Sequence, residues 1–230
     1  MINIYNIKII FLLFIFYSVI GWIIEVLDQF YRQKRFINRG FLIGPYCPVH
    51  GIGALLMILL LSGITDSYIV LFFSAAIICT LLEYITSFLL EKIFKARWWD
   101  YTCYKFNLNG RVCLQNSIFF GIAGVFIVKI ANPFLVKSII KNITNLNIIC
   151  LIFGIIFILD LIVSFNVIVK FKNIANSLTK DSTEEISSRV KKILSNKSIL
   201  FKRLINAFPN LKNNAKKIKD NIINIFNFTK

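Results

Sequence analysis

Residues 67–91 read SYIVLFFSAAIICTLLEYITSFLLE, a stretch with no Gly, no Pro and one acid, Glu83, ahead of the closing Glu91. As a helix it would rise about 37 Å, enough to cross a hydrocarbon core of about 30 Å. A charge placed in hydrocarbon costs about 2.5 kcal/mol or more, so Glu83 has to face protein or a watery cavity, and such acids mark functional sites. Two further carboxylates, Glu25 and Asp160, sit in segments of the same character.

Other charge-free runs extend the pattern along the chain: residues 9–24, 41–65, 112–128 and 142–159. Of the 230 residues 57% are hydrophobic, including 23 Phe, above the roughly half expected of a soluble domain. The apolar residues come in runs rather than periodic stripes. The chain therefore reads as all-α: a polytopic membrane helix bundle of about five transmembrane helices with an amphipathic helical cytoplasmic tail. The spans fall near residues 8–28, 46–64, 67–91, 112–131 and 147–169, making a transmembrane domain over 1–170 and a basic tail over 171–230. The first span is long, carries Glu25 and is followed by no small-residue cleavage site, so it reads as a retained helix and not a signal peptide.

Of the net charge of +16, +10 lies in the last 61 residues. A basic tail beside a membrane helix matches an anionic inner leaflet, and nucleic acid is the weaker explanation. Loop one carries Arg32, Lys34, Arg35 and Arg39, and loop three carries Lys92, Lys95, Arg97, Lys105 and Arg111. Loop two, around Thr65 and Asp66, has no basic residue, and loop four has Lys137 and Lys141. The positive-inside rule then puts loops one and three and the tail in the cytoplasm of a cell-membrane protein, with the N-terminus outside.

The five cysteines are odd in number and form no C-x-x-C pair, so no disulfide framework is expected. His50 is the sole histidine, which leaves no usual zinc site. No metal and no cofactor is expected, and His50, set beside Gly and Pro, reads as structural.

Two loops differ from ordinary connectors. The first contains Asn38, Arg39, Gly40, Gly44, Pro45, Tyr46, Cys47 and Pro48, followed by Val49-His50-Gly51. Its Gly and Pro bend the backbone, and its apolar character suggests that it dips into the protein or the interface, where irregular backbone is tolerated only when packed in protein or lining water. The second contains Arg97, Trp98, Trp99, Asp100 and Tyr101, then Asn107, Asn109, Gly110 and Arg111. Adjacent Trp with Tyr suits the headgroup layer. Asp100 is expected to cap a turn or to pair with Arg97 ahead of acting as an acid–base group near headgroups, and Asn107, Asn109 and Arg111 to hold a backbone turn ahead of a phosphate. Glu25 with Asn38-Arg39-Gly40, and Glu83 with Asn109-Gly110-Arg111, suggest a rough two-hairpin repeat whose spacings do not match.

Spans one, three and five share one direction, so Glu25, Glu83 and Asp160 are expected in their cytoplasmic halves. There they would form a polar cluster or substrate path paired with Arg39, Arg97 and Arg111, because Arg forks bind carboxylates bidentately. In the tail, Ser182-Thr183-Glu184-Glu185 fits a capping box and apolar stripes follow on either side of Pro209. Two readings stay open for it: helices lying on the inner leaflet, or a self-associating hairpin. No P-loop, G-x-S-x-G or H-E-x-x-H string is present, so nothing in the chain marks it as an enzyme and any ATP hydrolysis would belong to a separate subunit.

On these two loops the chain resembles a bacterial membrane family, the CmpB-like ABC-transporter type IV proteins. The resemblance rests on Gly21-Trp22 with Glu25, on Asn38-Arg39-Gly40-Phe41 with Gly44-Pro45-Tyr46-Cys47-Pro48, and on Leu82-Glu83-Tyr84. It rests also on Lys95-Ala96-Arg97-Trp98-Trp99-Asp100-Tyr101 and Asn107-Leu108-Asn109-Gly110-Arg111, over roughly residues 10–130. It implies a permease subunit that works with a separate ATPase. Five spans are few for a complete pathway, which points to a homodimer. The alternatives are an inner-leaflet protein that binds or modifies lipid through Trp98, Trp99, Asp100 and the arginines, or a membrane scaffold.

Overall fold

The computed structural model describes residues 7–34, 36, 38, 42–63, 66–94, 97–141 and 146–180. Arg39 and Gly40 and the tail beyond 180 lie outside the described residues. Helix α1 covers Ile7–Gln33, α2 Pro48–Leu61, α3 Tyr68–Phe94, α4 Leu114–Phe126, α5 Asn132–Lys141 and α6 Leu146–Lys180. A π-helical turn, Ile127–Ala131, joins α4 to α5. Pro133 explains it: a proline ring crowds the carbonyl four residues back and donates no N–H, so the preceding turn widens. The only strands among the described residues are β1, Asn107–Leu108, and β2, Val112–Cys113, paired antiparallel.

Four stretches are long and apolar enough to cross a membrane: 7–32, 68–93, 114–141 and 146–169. The membrane helix bundle expected from sequence is therefore present. The second expected span, 46–64, differs. Its helix has 14 residues and rises about 21 Å, short of a full crossing. Pro48 starts it late, since proline suits a first helical position and not an interior one.

The missing length is made up by the segment before it. The Cys47 amide donates to the main-chain oxygen of Ser18, in the middle of α1, at 2.8 Å. The chain thus leaves the end of α1, returns to mid-depth as irregular backbone, and only then becomes helical. Gly51 lies against Phe14 and Ser18, and Gly21 against His50, so α2 runs antiparallel to α1. A Cβ on Gly51 would sit 2.7 Å from the Phe14 oxygen; the close crossing needs a residue without one. Thr80 meets Ser117, and Gly121 meets Phe72, so α4 descends along α3. Lys8 bonds Asn147 and Phe14 packs on Phe157, so α6 runs parallel to α1. Gly53 lies against Cys79 and Leu82, and Gly124 meets both Met57 and Ala75, so α3 runs antiparallel to α2 and helices α1, α3 and α6 share one direction.

The core joins Ile9, Leu13 and Tyr17 to Ala54, Met57 and Ile58 and to Leu71, Ala75 and Cys79, closed below by Val128, Val136 and Leu146. Helix α6 contributes least: only 6% of its apolar window is buried within the chain.

Candidate functional site

Irregular backbone inside a membrane needs partners for its N–H and C=O groups. Here α6 and α1 supply them. The Asp160 carboxylate accepts from the Ile43 amide at 3.1 Å and from the Gly44 amide at 2.9 Å. Ser164, one turn on, also accepts from Ile43 at 2.9 Å and donates to Asp160 at 3.1 Å. Asn38 donates to the Ile43 oxygen at 3.0 Å and accepts from the Trp22 indole at 2.7 Å. Tyr46 is buried against Phe157. The descending segment is thus latched to two helices.

It ends at a group of polar side chains. His50 Nδ1 lies 3.0 Å from Cys47 Sγ, and His50 Nε2 lies 3.9 Å from a Glu25 oxygen. On α3, Glu83 Oε1 accepts from Tyr101 at 3.0 Å and from the Asn116 amide at 3.4 Å. Glu83 Oε2 is buried with no hydrogen-bond partner. Glu25 is near enough to act electrostatically on both Glu83 and Tyr101. Burial first, then the charges of Glu83 and Glu25, push the Tyr101 phenol well above its ordinary value, so it stays protonated as a donor.

Residues 97–113 form a cap that reaches Glu83 through Tyr101. Asn109 and Gly110 have φ of 55° and 67°, the left-handed pair that closes a tight hairpin turn, and Arg111 N bonds back to Leu108 O. Asn107 ties the turn by accepting from Gly110 N and donating to Tyr104 O. Two arginines bring the cap down onto α3: Arg97 meets Glu91 Oε1 at 3.3 Å and Arg111 meets Oε2 at 2.7 Å. Arg111 also lies over the rings of Tyr84 and Phe88. Trp98 is buried, and Trp99 donates to the Arg111 oxygen. On the far side Arg32, itself paired with Asp28, donates to the Tyr104 hydroxyl, joining α1 to the cap.

The profile of one family, Putative ABC-transporter type IV (CmpB), matches residues 12–165. The chain belongs to this family. No curated protein and no solved structure matches it significantly. The family match runs from α1 into α6, past the roughly residues 10–130 of the sequence resemblance. It takes in the descending segment, the cap and all three intramembrane acids, and stops short of the tail.

Within this CmpB-family chain the structure sorts the residues expected at the site. Glu25 and Glu83 lie within electrostatic reach of each other. Asp160 stands apart from them and holds Gly44, one end of the segment whose other end bears Cys47. The ion pairs described for Arg97 and Arg111 join them to Glu91, with Asp100 at 3.9 Å from Arg97, in place of pairs with Glu83 or Asp160. Asp100 also accepts from the Thr102 amide, capping a turn. Asn107, Asn109 and Gly110 build the hairpin. Pro45 is exposed and Pro48 opens α2.

Sequence reasoning missed Cys47, Glu91, Asn116 and Ser164, and read His50 as structural. Ser164 and Asp160 were visible as a polar i, i+4 pair in an apolar span. The Glu25–His50 approach was not visible, because it depends on how far the loop descends.

Proposed function

We propose that this chain is the membrane-spanning, permease-type subunit of a transporter that relies on a separate ATPase, and that the pocket between Glu25 and Glu83 lies on the path of its solute. One observation carries this reading: two carboxylates from different apolar helices, Glu25 and Glu83, lie within electrostatic reach of each other beside the irregular backbone that precedes α2, an arrangement kept where a binding site or pathway is lined. Membership of the family supports the transporter class. The basic residues at the C-terminal end of α1 and in the cap support a cytoplasmic side for that face; on this reading the solute path opens inward beneath the cap, and the cap and the segment before α2 form the face a nucleotide-binding subunit would engage. The basic tail follows α6 in the sequence, and its charge suits an anionic leaflet. A lipid-headgroup site built on Arg97 and Arg111 is less favoured, since both already meet Glu91.

The test is a gentle-detergent purification of the tagged protein from its native host, with mass spectrometry of what accompanies it. A stoichiometric nucleotide-binding protein, and ATP turnover that responds to this chain, is the expected result. Recovery of the chain alone or loaded with lipid overturns the reading.

A further inference from the structure

The Cys47, His50 and Glu25 side chains form a linear array: thiol, imidazole through Nδ1 at 3.0 Å, then carboxylate 3.9 Å from Nε2. We propose that Cys47 is a nucleophilic thiol that accepts an acyl group from a long-chain acyl ester or thioester, with His50 as its general base and Glu25 as the residue that positions the imidazole.

Each part has a physical warrant. Base-paired thiols are the activated form of cysteine, and a third group that orients the base completes the arrangement. Contacts of this kind are commonly long in unliganded sites and tighten with substrate. Cys47 is the residue directly before α2, whose first helical residue is Pro48. It therefore stands at the positive end of a helix dipole, while burial and the Glu25 charge disfavour a free thiolate, so the proton leaves to His50 only as Sγ attacks. Val49, the second residue of that helix, has no intrahelical acceptor for its N–H and offers a donor to an oxyanion. The imidazole sets Cys47 apart: Cys113 also directly precedes a helix, α4, but His50 is the chain's single histidine, and Cys79 bonds to the Gly53 oxygen and Cys150 to the Lys8 oxygen.

The surroundings choose the substrate class. The wall beside the loop end is aromatic, with Phe157 packed on Phe14 and on Tyr46, and α6 beyond it is apolar. A hydrocarbon chain is at home there, and only its carbonyl needs the polar pocket. In the step itself His50 Nδ1 takes the Cys47 proton as Sγ bonds to the acyl carbon. The tetrahedral intermediate then expels an alkoxide or thiolate, which receives that proton. The products are a Cys47 thioester and an alcohol or a thiol.

The experiment uses the full chain in lipid nanodiscs with two alkyne-tagged donors in separate arms: a long-chain acyl-CoA, and a phosphatidylcholine carrying the tagged chain. Adducts are mapped by peptide mass and removed with hydroxylamine. The expected result is a hydroxylamine-sensitive adduct on Cys47 that forms faster than on the exposed Cys103, from one donor or the other, which identifies the source. His50→Ala should slow it by about 100-fold, with partial rescue by added imidazole. Glu25→Gln should slow it as well, and Glu25→Asp should restore part of the rate, a recovery that a merely structural role would not give. No adduct on Cys47 from either donor, or a rate no faster than at Cys103, overturns the proposal. So does a rate unaffected by His50→Ala. The wild-type comparison of Cys47 with Cys103 decides the matter even where a variant fails to fold. Loss of acylation with an intact ATPase complex would leave the permease reading standing, so the two are read separately.

Discussion

Two single residues set what the pocket tolerates. Gly51 lets α2 approach α1, and its Cβ would meet the Phe14 oxygen at 2.7 Å. Gly51→Ala should cost about 1–3 kcal/mol through forced separation of the helices, read as a lower melting temperature in detergent. Gly63, which has nothing within 4 Å of a Cβ position, supplies the control, and Gly63→Ala should melt as the parent does. Glu83 is the other. Its Oε1 has two donors while its Oε2 has none and is buried, so the side chain is not there only to complete a hydrogen-bond network. Glu83→Leu should insert into the membrane at normal levels and lose activity in the coupled ATPase assay. Full activity in that variant would remove the residue from the solute path.

At the scale of elements, the cap and the descending segment are held by different devices. The cap depends on one carboxylate, Glu91, that receives two arginines. Arg111 is the more enclosed, with 13% of its side chain exposed, so the cost of Glu91→Gln should fall between that of a surface pair and a buried one, about 2 kcal/mol. Limited proteolysis within residues 97–113 should then become several times faster. The descending segment depends on Asp160. Asp160→Ala removes the acceptor of two amides in a place where water is scarce, and hydrogen bonds to charged groups contribute about 1.5–3 kcal/mol. The expected outcome is faster alkylation of Cys47, three residues along from Gly44, with the labelling of Cys103 unchanged.

These elements differ in how legible they were. Residues 67–91 announced α3 by length and composition alone, and Gly44-Pro45 and Pro48 announced that the chain between α1 and α2 would bend and dip. The short α2 was not legible, since 46–64 is apolar throughout and hydropathy cannot tell where in the bilayer a helix begins. The partners of the acids were hidden for a related reason. Glu91 sits near a helix end where an acid needs no explanation, yet the cap's fold brings two arginines to it. Asn116 looked like an ordinary polar residue near a span boundary, yet α4 descending along α3 carries it to Glu83.

For the whole molecule, the shared direction of α1, α3 and α6 sets an orientation test. The cap and the start of the tail lie at one face, and the Asp66 turn, where Lys129 meets Asp66 at 3.0 Å, lies at the other. With the cap in the cytoplasm, an impermeant maleimide applied to intact cells should miss Cys103 and label an Asp66→Cys variant. The reverse pattern would invert the topology.

The latch between Asp160 and the Ile43 and Gly44 amides also fixes an order of events during synthesis. The segment that needs these partners leaves the ribosome more than a hundred residues before they do. Until α6 has been made and has settled beside α1, the amides at 43 and 44 have no protein acceptor from that helix, and the re-entrant stretch has reason to stay near the membrane surface. The last span is thus a clasp fitted at the end, and completion of the pocket is deferred until nearly the whole membrane domain is in place.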